Sequence, residues 1–219
     1  MRVGTCFFDV LPETRDLILS GYYEHEEREA VRRFLPPESS VIELGASQGV
    51  VSCITNRVLK DKTSHVVVEA NPFLLPLLTR NRDRNRCKFE IVHAVAGSAE
   101  RTVGFFCDEN PLKSSVLISS PKCHAVPTVS LSELVHTRRF RHCTLICDIE
   151  GAEIGLIEGG TQVLSSHFDL LIVEFHPAIT GIQVVHETLE RLRDCGFRLV
   201  SRKRHVYVLR KALAPLNSL

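Results

Sequence analysis

The residues best suited to chemistry follow two short apolar segments in the second half of the chain. The segment CDIEGAE, residues 147–153, places Asp148 and Glu150 at the end of a predicted strand, and VEFHP places Glu174 and His176 at the end of the next. Carboxylates at such positions can accept a proton, bind a cation or hold substrate hydroxyls, and histidine titrates near neutral pH. We expect Asp148 and His176 to be catalytic, and Glu150 and Glu174 to bind substrate.

Some of these residues also have a purely structural interpretation. Glu153 lies in the first turn of the next predicted helix, where a negative charge complements the helix dipole, and we favour that role for it. A histidine that precedes a proline, as His176 does, is also common as a structural cap. Asp148 is harder to explain in this way, because a carboxylate in a buried strand is costly without a partner.

A glycine turn earlier in the chain indicates where a cofactor would bind. The segment VIELGASQG, residues 41–49, predicts a buried strand that ends in a turn from Gly45 to Gly49. Gly45 permits close backbone approach, and Gly49 begins a helix whose N-terminus favours negative charge. The next predicted strand ends at Glu69, which lies 20 residues beyond Gly49. That is the spacing at which a carboxylate meets ribose hydroxyls.

Two ligand classes offer a ribose to such an acid. A dinucleotide fold requires G-x-G-x-x-G, but Ser47 stands where the middle glycine would be, which weakens the prediction of a dehydrogenase. S-adenosylmethionine has no phosphate, and it needs only a glycine turn for its amino acid portion and an acid for its ribose. The alternative is that Gly45 and Gly49 merely form a tight turn and that Glu69 is a solvated strand end.

Apolar segments alternate with helical periodicity along most of the chain. The predicted strands are 40–46, 65–70, 89–97, 144–150 and 169–177, and the predicted helices are 24–35, 49–59, 73–83, 152–164 and 183–194. Continuous apolar strands separated by helices indicate a parallel sheet that is covered on both faces. The C-terminal segments FRLVSRK and HVYVLR predict an antiparallel pair. We therefore predict an α/β, Rossmann-like, doubly wound domain.

Composition excludes several other classes. The 219 residues suit one domain, with 44% hydrophobic and 24% charged residues and a net charge of +1, which gives no overall attraction to nucleic acid or acidic membranes. No apolar stretch approaches the ~18 residues that span a bilayer, and acidic residues come too early for a secretory signal. The cysteines lie in apolar patterns without a C-x-x-C pair. We predict reduced thiols, no metal site and a cytoplasmic location.

Together these motifs resemble the FkbM-type S-adenosylmethionine-dependent methyltransferases. VIELGASQG, VVVEANP, HAVAG, the pair Ser114-Ser115, VPTVSLSEL, CDIEGAEIGLIEGG and LLIVEFHP occur in the order seen in that family, over about residues 40–200. The DIEGAE box is the most specific of them. The resemblance implies a class I methyltransferase sheet of seven strands, six parallel and one antiparallel. It also implies methyl transfer to a hydroxyl of a sugar, a polyketide or a similar small molecule.

The resemblance also assigns roles by position. It implies that the glycine turn lines the methionine part of the cofactor, that Glu69 holds the ribose and that Ala94 and Val95 lie near the adenine. The full set of expected cofactor residues is Glu43, Gly45, Ala46, Ser47, Gly49, Glu69, Ala70, Asn71, Ala94, Val95 and Asp148. The expected substrate residues are Ser114, Ser115, Glu150 and Glu174.

This chain departs from the family pattern at three positions. The first box usually reads Asp-x-Gly-Ala-Asn, whereas Glu43 and Ser47 stand here, and Glu43 keeps the charge. The family also tends to carry lysine two residues before the aspartate of the DIEGAE box, where this chain has Ile146. Any role of that lysine in binding substrate or in tuning Asp148 is therefore absent.

The predicted organisation is a helical lead-in packed on the core, a methyltransferase domain and a short tail, at residues 1–39, 40–212 and 213–219. Residues 98–127 form an insertion on the substrate side with one hairpin strand, TVGFFC, and SLSELV follows as a short helix capped by Ser130.

Three other functions stay open at this point. Ile146 is compatible with a methyltransferase-like protein that binds cofactor or a partner without catalysis. The arginines of 79–86 and the basic run 201–205 raise the alternative of a nucleic-acid methyltransferase, although such arginines are more typical of a solvated helix end. A dehydrogenase is the third alternative. We expect a small-molecule acceptor, no membrane and no nucleic acid, and we leave a homodimer open.

Overall fold

A seven-stranded sheet forms the centre of the fold in the computed structural model, which describes residues 1–97, 101–107 and 122–212. The strands are β1 (Arg2–Val3), β2 (Cys6–Phe7), β3 (Ser40–Leu44), β4 (His65–Glu69), β5 (Glu90–His93), β6 (Val95–Ala96), β7 (Thr102–Cys107), β8 (Lys122–Val129), β9 (Cys143–Cys147), β10 (Phe168–Glu174), β11 (Phe197–Lys203) and β12 (Val206–Lys211). The helices are α1 (Arg15–Leu19), α2 (His25–Phe34), α3 (Val50–Val58), α4 (Leu75–Arg84), α5 (Leu131–Arg138), α6 (Glu153–His167), α7 (Pro177–Thr180) and α8 (Ile182–Asp194), with a 3-10 turn at Pro12–Thr14.

The order of strands in the large sheet is β11-β12-β10-β9-β3-β4-β5. The strands β3, β4, β5, β9 and β10 pair in parallel. Strand β12 runs antiparallel to both of its neighbours, β10 and β11, so β11 points the same way as the other five. The prediction of a mostly parallel seven-stranded sheet with an antiparallel C-terminal strand is confirmed in the described part of the chain.

Each face of the sheet is covered by its own set of helices. One buried cluster joins alternate strand residues such as Val41 and Ile172 to α2 and α3, and the other joins residues such as Ile42 and Leu145 to α5, α6 and α8. Strands that are buried on both faces must be apolar at every position. Each fully buried aliphatic side chain contributes about 1.5–3 kcal/mol. The continuous apolar segments of the sequence follow from this arrangement.

Side-chain amides in the last turn of α4 and at the residue that follows it attach the N-terminal segment to the core. Asn81 donates through Nδ2 to the Asp9 carbonyl oxygen (2.8 Å) and accepts through Oδ1 from the Asp9 N–H (2.8 Å). Asn85 pairs with the backbone of Phe7 in the same way, at 2.7 and 2.8 Å. These bonds satisfy backbone groups that no neighbouring strand pairs, and they are invisible to an analysis of apolar periodicity.

The predicted insertion is more regular than expected in its described part. Strand β7, the predicted TVGFFC strand, pairs antiparallel with β8, which also meets β6 in a three-stranded sheet. Strand β8 escaped prediction because Pro127 interrupts its apolar pattern, and proline argues against a central strand. In the structure Pro127 lies opposite Thr102 at the end of the pairing with β7. Ser114 and Ser115 lie outside the described residues.

The seven cysteines whose side chains the structure describes are free, and five of them are buried. Residues 1–97, 101–107 and 122–212 contain no helix that is long and apolar enough to cross a lipid bilayer. The location of the protein stays a prediction.

The ends of β3 and β9 approach each other backbone to backbone. Gly45 has φ +83°, and a Cβ at this position would lie 1.6 Å from the carbonyl oxygen of Asp148. The Asp148 N–H donates to the carbonyl oxygen of Leu44 (3.0 Å). Only glycine allows this approach, because any side chain would both clash and disfavour the positive φ.

We expect Gly45→Ala to lower the free energy of unfolding by roughly 3 kcal/mol or more, because the added methyl group meets backbone that cannot rotate away. Gly159→Ala is the matched control, since a Cβ there meets nothing within 4 Å and alanine favours a helix interior by about 0.5–1 kcal/mol. Urea denaturation measures both changes. A loss below about 1 kcal/mol for Gly45→Ala would mean that the two strand ends separate easily.

Candidate active site

A cleft of about 920 Å³ opens at the carboxyl ends of β3, β4 and β9, the edge at which parallel sheets bind ligands. The polar side chains that line it belong to Tyr23, Glu24, Ser47, Glu69, Asn71, Asp148 and Glu150. The apolar lining includes Leu44, Val68, Leu74, Ala94, Val95 and Phe105.

Glu69 holds the glycine turn in place. Its Oε2 accepts from the Ser47 N–H and its Oε1 from the Asn71 N–H, both at 2.7 Å. Burial raises the pKa of Glu69 to about 7, although the N–H groups of Asn71 and Ser47 act in the opposite direction. A buried carboxylate that accepts backbone N–H groups still has lone pairs for further donors. Glu69 is therefore fixed in position and able to bind hydroxyl groups.

One wall of the cleft beside Glu69 is apolar. Ala94 and Val95 line it together with Phe105, and Val95 and Phe105 share a small buried cluster with Val126. The hairpin of β7 and β8 thus supplies part of this wall. Phe105 was not among the predicted site residues, because the hairpin partner of its strand was not recognised.

Several predicted cofactor residues lie elsewhere. Glu43 is buried on the opposite face of β3 from Leu44, where its carboxylate binds the Ser52 hydroxyl and the ring of His65 (3.1 Å to Nε2). Successive side chains along a strand point to opposite faces of the sheet, so Glu43 cannot face the cleft that Leu44 lines. Ala46 and Gly49 also do not line the cleft, and Gly49 packs against Leu78 of α4. Glu43, Ala46 and Gly49 therefore support the glycine turn without lining the cleft.

Most of the other predicted site residues lie together in the cleft, as their positions in the sequence led us to expect. Those that line the cleft are Gly45, Ser47, Glu69, Ala70, Asn71, Ala94, Val95, Asp148 and Glu150. Strand β9 ends at Cys147, so Asp148 and Glu150 lie in the loop that follows rather than within a strand.

His176 lies among three carboxylates beside the cleft. Its Nδ1 donates to Glu153 Oε1 (3.1 Å), and its Nε2 lies 3.4 Å from Asp148 Oδ1 and 3.6 Å from Glu150 Oε2. Burial alone would lower the pKa of His176, but Glu153, Asp148 and Glu150 raise it to about 9. Burial raises the pKa of Asp148 well above its usual range, against the effect of His176. The contact between Asp148 and His176 is an ion pair without hydrogen-bond geometry, since Asp148 Oδ1 has no hydrogen-bond partner in the described chain.

Glu153 has a more specific role than a complement to the helix dipole. Its side chain is fully buried, and its Oε1 accepts from the N–H groups of Ile149 (2.8 Å) and Gly151 (3.2 Å) as well as from His176. One carboxylate oxygen therefore fixes both the loop that carries Asp148 and the histidine that faces it. The spacing of Glu153 from Asp148 was visible in the sequence, but its contact with His176 was not.

The N-terminal segment adds two residues that sequence reasoning missed. The Tyr23 hydroxyl lies 3.1 Å from Ser47 Oγ, and Glu24 lines the cleft with a left-handed backbone, φ 47°. Burial and the neighbouring Glu27 raise the pKa of Glu24 to about 8. Within the described residues, Glu24 Oε2 is buried and has no hydrogen-bond partner. No local motif marks either residue, because both precede a helix with ordinary amphipathic spacing.

We expect Glu153→Gln to lower the pKa of His176 from about 9 toward its ordinary value of 6.5, because a neutral amide replaces a charged acceptor. A histidine pKa that is raised by folding adds stability that is fully present below pH 6.5 and is lost as the pH rises through 9. The variant should lose part of that pH-dependent stability. NMR titration of the imidazole nitrogens in EDTA measures the shift.

The other histidine signals of Glu153→Gln serve as internal controls for a general change of structure. An unchanged pKa of His176 would mean that Asp148 and Glu150, rather than Glu153, determine its charge.

Solved structures share the fold of this chain. A protein of the NADB-Rossmann superfamily from Streptococcus agalactiae has 10% identity and a TM-score of 0.54, with 87% of this chain and 70% of that chain covered. An rRNA methylase from Streptococcus thermophilus also has 10% identity and a TM-score of 0.54, at 86% and 96% coverage. The fibrillarin pre-rRNA processing protein of Methanococcus jannaschii has 12% identity and a TM-score of 0.52, at 80% and 67% coverage. At such identities the likeness establishes the fold alone.

The family is established by a separate comparison. No curated protein matches the chain significantly, but residues 43–199 match the family model described as Methyltransferase FkbM domain. The matched range contains Glu69, Asp148 and His176. The predicted resemblance is confirmed, and with it methyltransferase activity and S-adenosylmethionine as the cofactor. The chain belongs to the FkbM methyltransferase family.

Proposed function

We propose that this methyltransferase transfers a methyl group from S-adenosylmethionine to a hydroxyl oxygen of a small molecule. The observation that carries the proposal is the position of Asp148, which lines the cofactor cleft while its side chain faces His176. Such a pair can take a proton from a hydroxyl group that is bound beside it. An oxygen nucleophile needs this help more than a sulfur nucleophile does, because a hydroxyl group is a weak nucleophile at its own pKa.

The residues of the cleft fit the parts of S-adenosylmethionine. Glu69, held by two backbone N–H groups, would accept the ribose hydroxyls, and the apolar wall of Ala94, Val95 and Phe105 would take the adenine ring. The buried Oε2 of Glu24 has no partner in the described chain, so it would receive the ammonium group of the methionine portion. A buried carboxylate gains most from a cationic donor.

The chain itself contributes position and proton transfer. When bound, the cofactor supplies an electrophilic methyl group attached to a positively charged sulfur. Asp148 Oδ1, which is buried and lacks a hydrogen-bond partner in the described residues, accepts the proton of the acceptor hydroxyl. His176 Nε2, 3.4 Å away, stabilises that carboxylate as an imidazolium before transfer, and the protonated Asp148 releases its proton to solvent after the product leaves. Glu153 keeps the imidazole ring oriented through Nδ1.

The basic segments of the surface support a small-molecule acceptor rather than nucleic acid. On α4, Arg84 and Arg80 both face Asp9, at 2.6 and 3.9 Å. In the run 201–205, Lys203 pairs with Glu29 on α2, and Arg204 pairs with another acid of that helix. A nucleic-acid surface depends on cations that are available to phosphates, and these cations already have acidic partners.

We expect Glu69→Gln to weaken S-adenosylmethionine binding roughly 10- to 100-fold, because hydrogen bonds to a charged group contribute about 1.5–3 kcal/mol. Glu90→Gln is the matched control: this acid begins the neighbouring strand β5 at the opposite edge of the sheet and pairs with Arg138 at the surface. Calorimetric titration gives both dissociation constants. Equal affinities in the two variants would remove Glu69 from the cofactor site.

We expect Asp148→Asn to reduce methyl transfer about 10²- to 10⁴-fold, the usual contribution of a positioned acid or base, while cofactor affinity changes little. The matched control is Asp169→Asn, which removes an aspartate–histidine pair at the surface, 2.9 Å from His142. The acceptor for the assay comes from a screen of hydroxylated small molecules.

Two results would contradict this mechanism. The first is full turnover in both Asp148→Ala and His176→Ala with bound cofactor. The second is tight cofactor binding without transfer to any hydroxylated acceptor, which would favour a protein that binds cofactor without catalysis.

A further inference from the structure

Two hydroxyl groups from distant parts of the chain meet inside the cofactor cleft. The Tyr23 hydroxyl, from the N-terminal segment, lies 3.1 Å from Ser47 Oγ in the glycine turn, and both residues line the cleft. Tyr23 is 8% exposed, whereas the adjacent Tyr22 is 66% exposed. The proposed methyl transfer uses neither hydroxyl group.

The position of the Tyr23 hydroxyl is fixed by the protein itself. Gln48 Oε1 accepts from the Leu11 N–H (2.8 Å) and from the Thr14 hydroxyl (3.1 Å), and these bonds tie the N-terminal segment to the glycine turn. The Tyr23 N–H donates to the carbonyl oxygen of Leu17 (3.0 Å). A donor that is preorganised in this way loses little conformational freedom when a ligand binds.

The glycine turn has already used the backbone donors of its cleft-lining residues, Gly45 and Ser47. The Gly45 N–H donates to the carbonyl oxygen of Val68 (3.0 Å), and the Ser47 N–H donates to Glu69 Oε2 (2.7 Å). An N–H group has a single hydrogen to donate. An anion bound beside the turn would therefore depend on side-chain hydroxyl groups, those of Ser47 and Tyr23.

Glu24 determines where the Tyr23 hydroxyl can donate. This hydroxyl faces the Glu24 carboxyl group as well as Ser47, and burial and Glu24 raise the pKa of Tyr23 well above its usual range. Tyr23 therefore keeps its proton at neutral pH. In the proposed function Glu24 receives the ammonium group of the cofactor, and a cationic donor makes the stronger bond to a carboxylate. The Tyr23 hydrogen is then free for another acceptor.

We propose that Tyr23, supported by Ser47, donates a hydrogen bond to the carboxylate of the methionine portion of S-adenosylmethionine. The ammonium and carboxylate groups of that portion are attached to the same carbon atom, so their partners must lie side by side. Glu24 and Tyr23 are consecutive residues that both line the cleft, and they offer an acceptor for the first group and a donor for the second. The proposal rests on the proposed function in placing the ammonium group at Glu24.

Calorimetric titration with S-adenosylmethionine and with its decarboxylated form tests this contact, because the second ligand lacks only the carboxylate. We expect Tyr23→Phe to weaken binding of S-adenosylmethionine roughly 10- to 100-fold, as the loss of a hydrogen bond to a charged group does, and to leave binding of the decarboxylated form nearly unchanged. Tyr22→Phe is the matched control, since this tyrosine is exposed, and it should bind both ligands like the unmodified protein.

An equal loss for both ligands would mean that Tyr23 has a structural role, and an unchanged affinity for S-adenosylmethionine would remove Tyr23 from the cofactor site. Either result overturns the inference. Ser47→Ala provides a second test if Tyr23→Phe does not fold, and the same selective loss is expected of it.

Glu24→Gln keeps this inference apart from the proposed function. It should weaken both ligands, because both carry the ammonium group. Equal affinities in Glu24→Gln and the unmodified protein would contradict the place of the ammonium group, while a selective loss in Tyr23→Phe would still support the carboxylate contact. These titrations contain no methyl acceptor, so they test the contact whether or not a hydroxyl group is methylated.

Discussion

The close approach of Gly45 to the carbonyl oxygen of Asp148 is the constraint on which the rest of the site depends. No side chain fits between the ends of β3 and β9 at this point. The turn that Glu69 holds and the loop that carries Asp148 are therefore fixed against each other by backbone contact. A donor bound by the turn and a proton acceptor on the loop can then share one cleft, and positioning of this kind is a large part of catalysis.

Buried acids in this molecule fall into two groups. Glu69 and Glu153 accept backbone N–H groups, which compensate for their removal from water and hold two loops in place. Glu24 and Glu27 are buried or partly buried next to other acids, and the cation that acts on both, Arg28, donates its hydrogen bonds to the backbone of Glu24 and Gly21. Because desolvation of a charge is costly unless it is paired, these N–H groups account for the burial of Glu69 and of Glu153 Oε1, whereas Glu153 Oε2 has no hydrogen-bond partner among the described residues. For Glu24, whose Oε2 has no hydrogen-bond partner in the described chain, a ligand that carries positive charge would supply the missing partner.

The amino-acid sequence was sufficient to predict the central sheet, but it predicted only part of the candidate site. Strands that are buried on both faces are continuous in apolar residues, so the parallel core was predictable, whereas β8 was not, because Pro127 breaks its pattern. The prediction for Glu43 followed from its place in a motif and ignored alternation, which turns its side chain to the opposite face from Leu44. Glu153 was visible as a helix-start acid. Its contact with His176 depends on how β10 and α6 lie in space, which no local spacing reveals.

The family match and the lead-in contribute different parts of the site. The match covers residues 43–199, and it includes the turn, Glu69 and the aspartate–histidine pair. Glu24 and Glu27 lie before that range: Glu24 lines the cleft, and Glu27 lies on α2, which packs across β10 and β12. Membership of the family therefore accounts for methyl transfer but not for the acids that α2 adds. If Glu24 binds the cofactor ammonium group as proposed, the N-terminal segment completes the cofactor site.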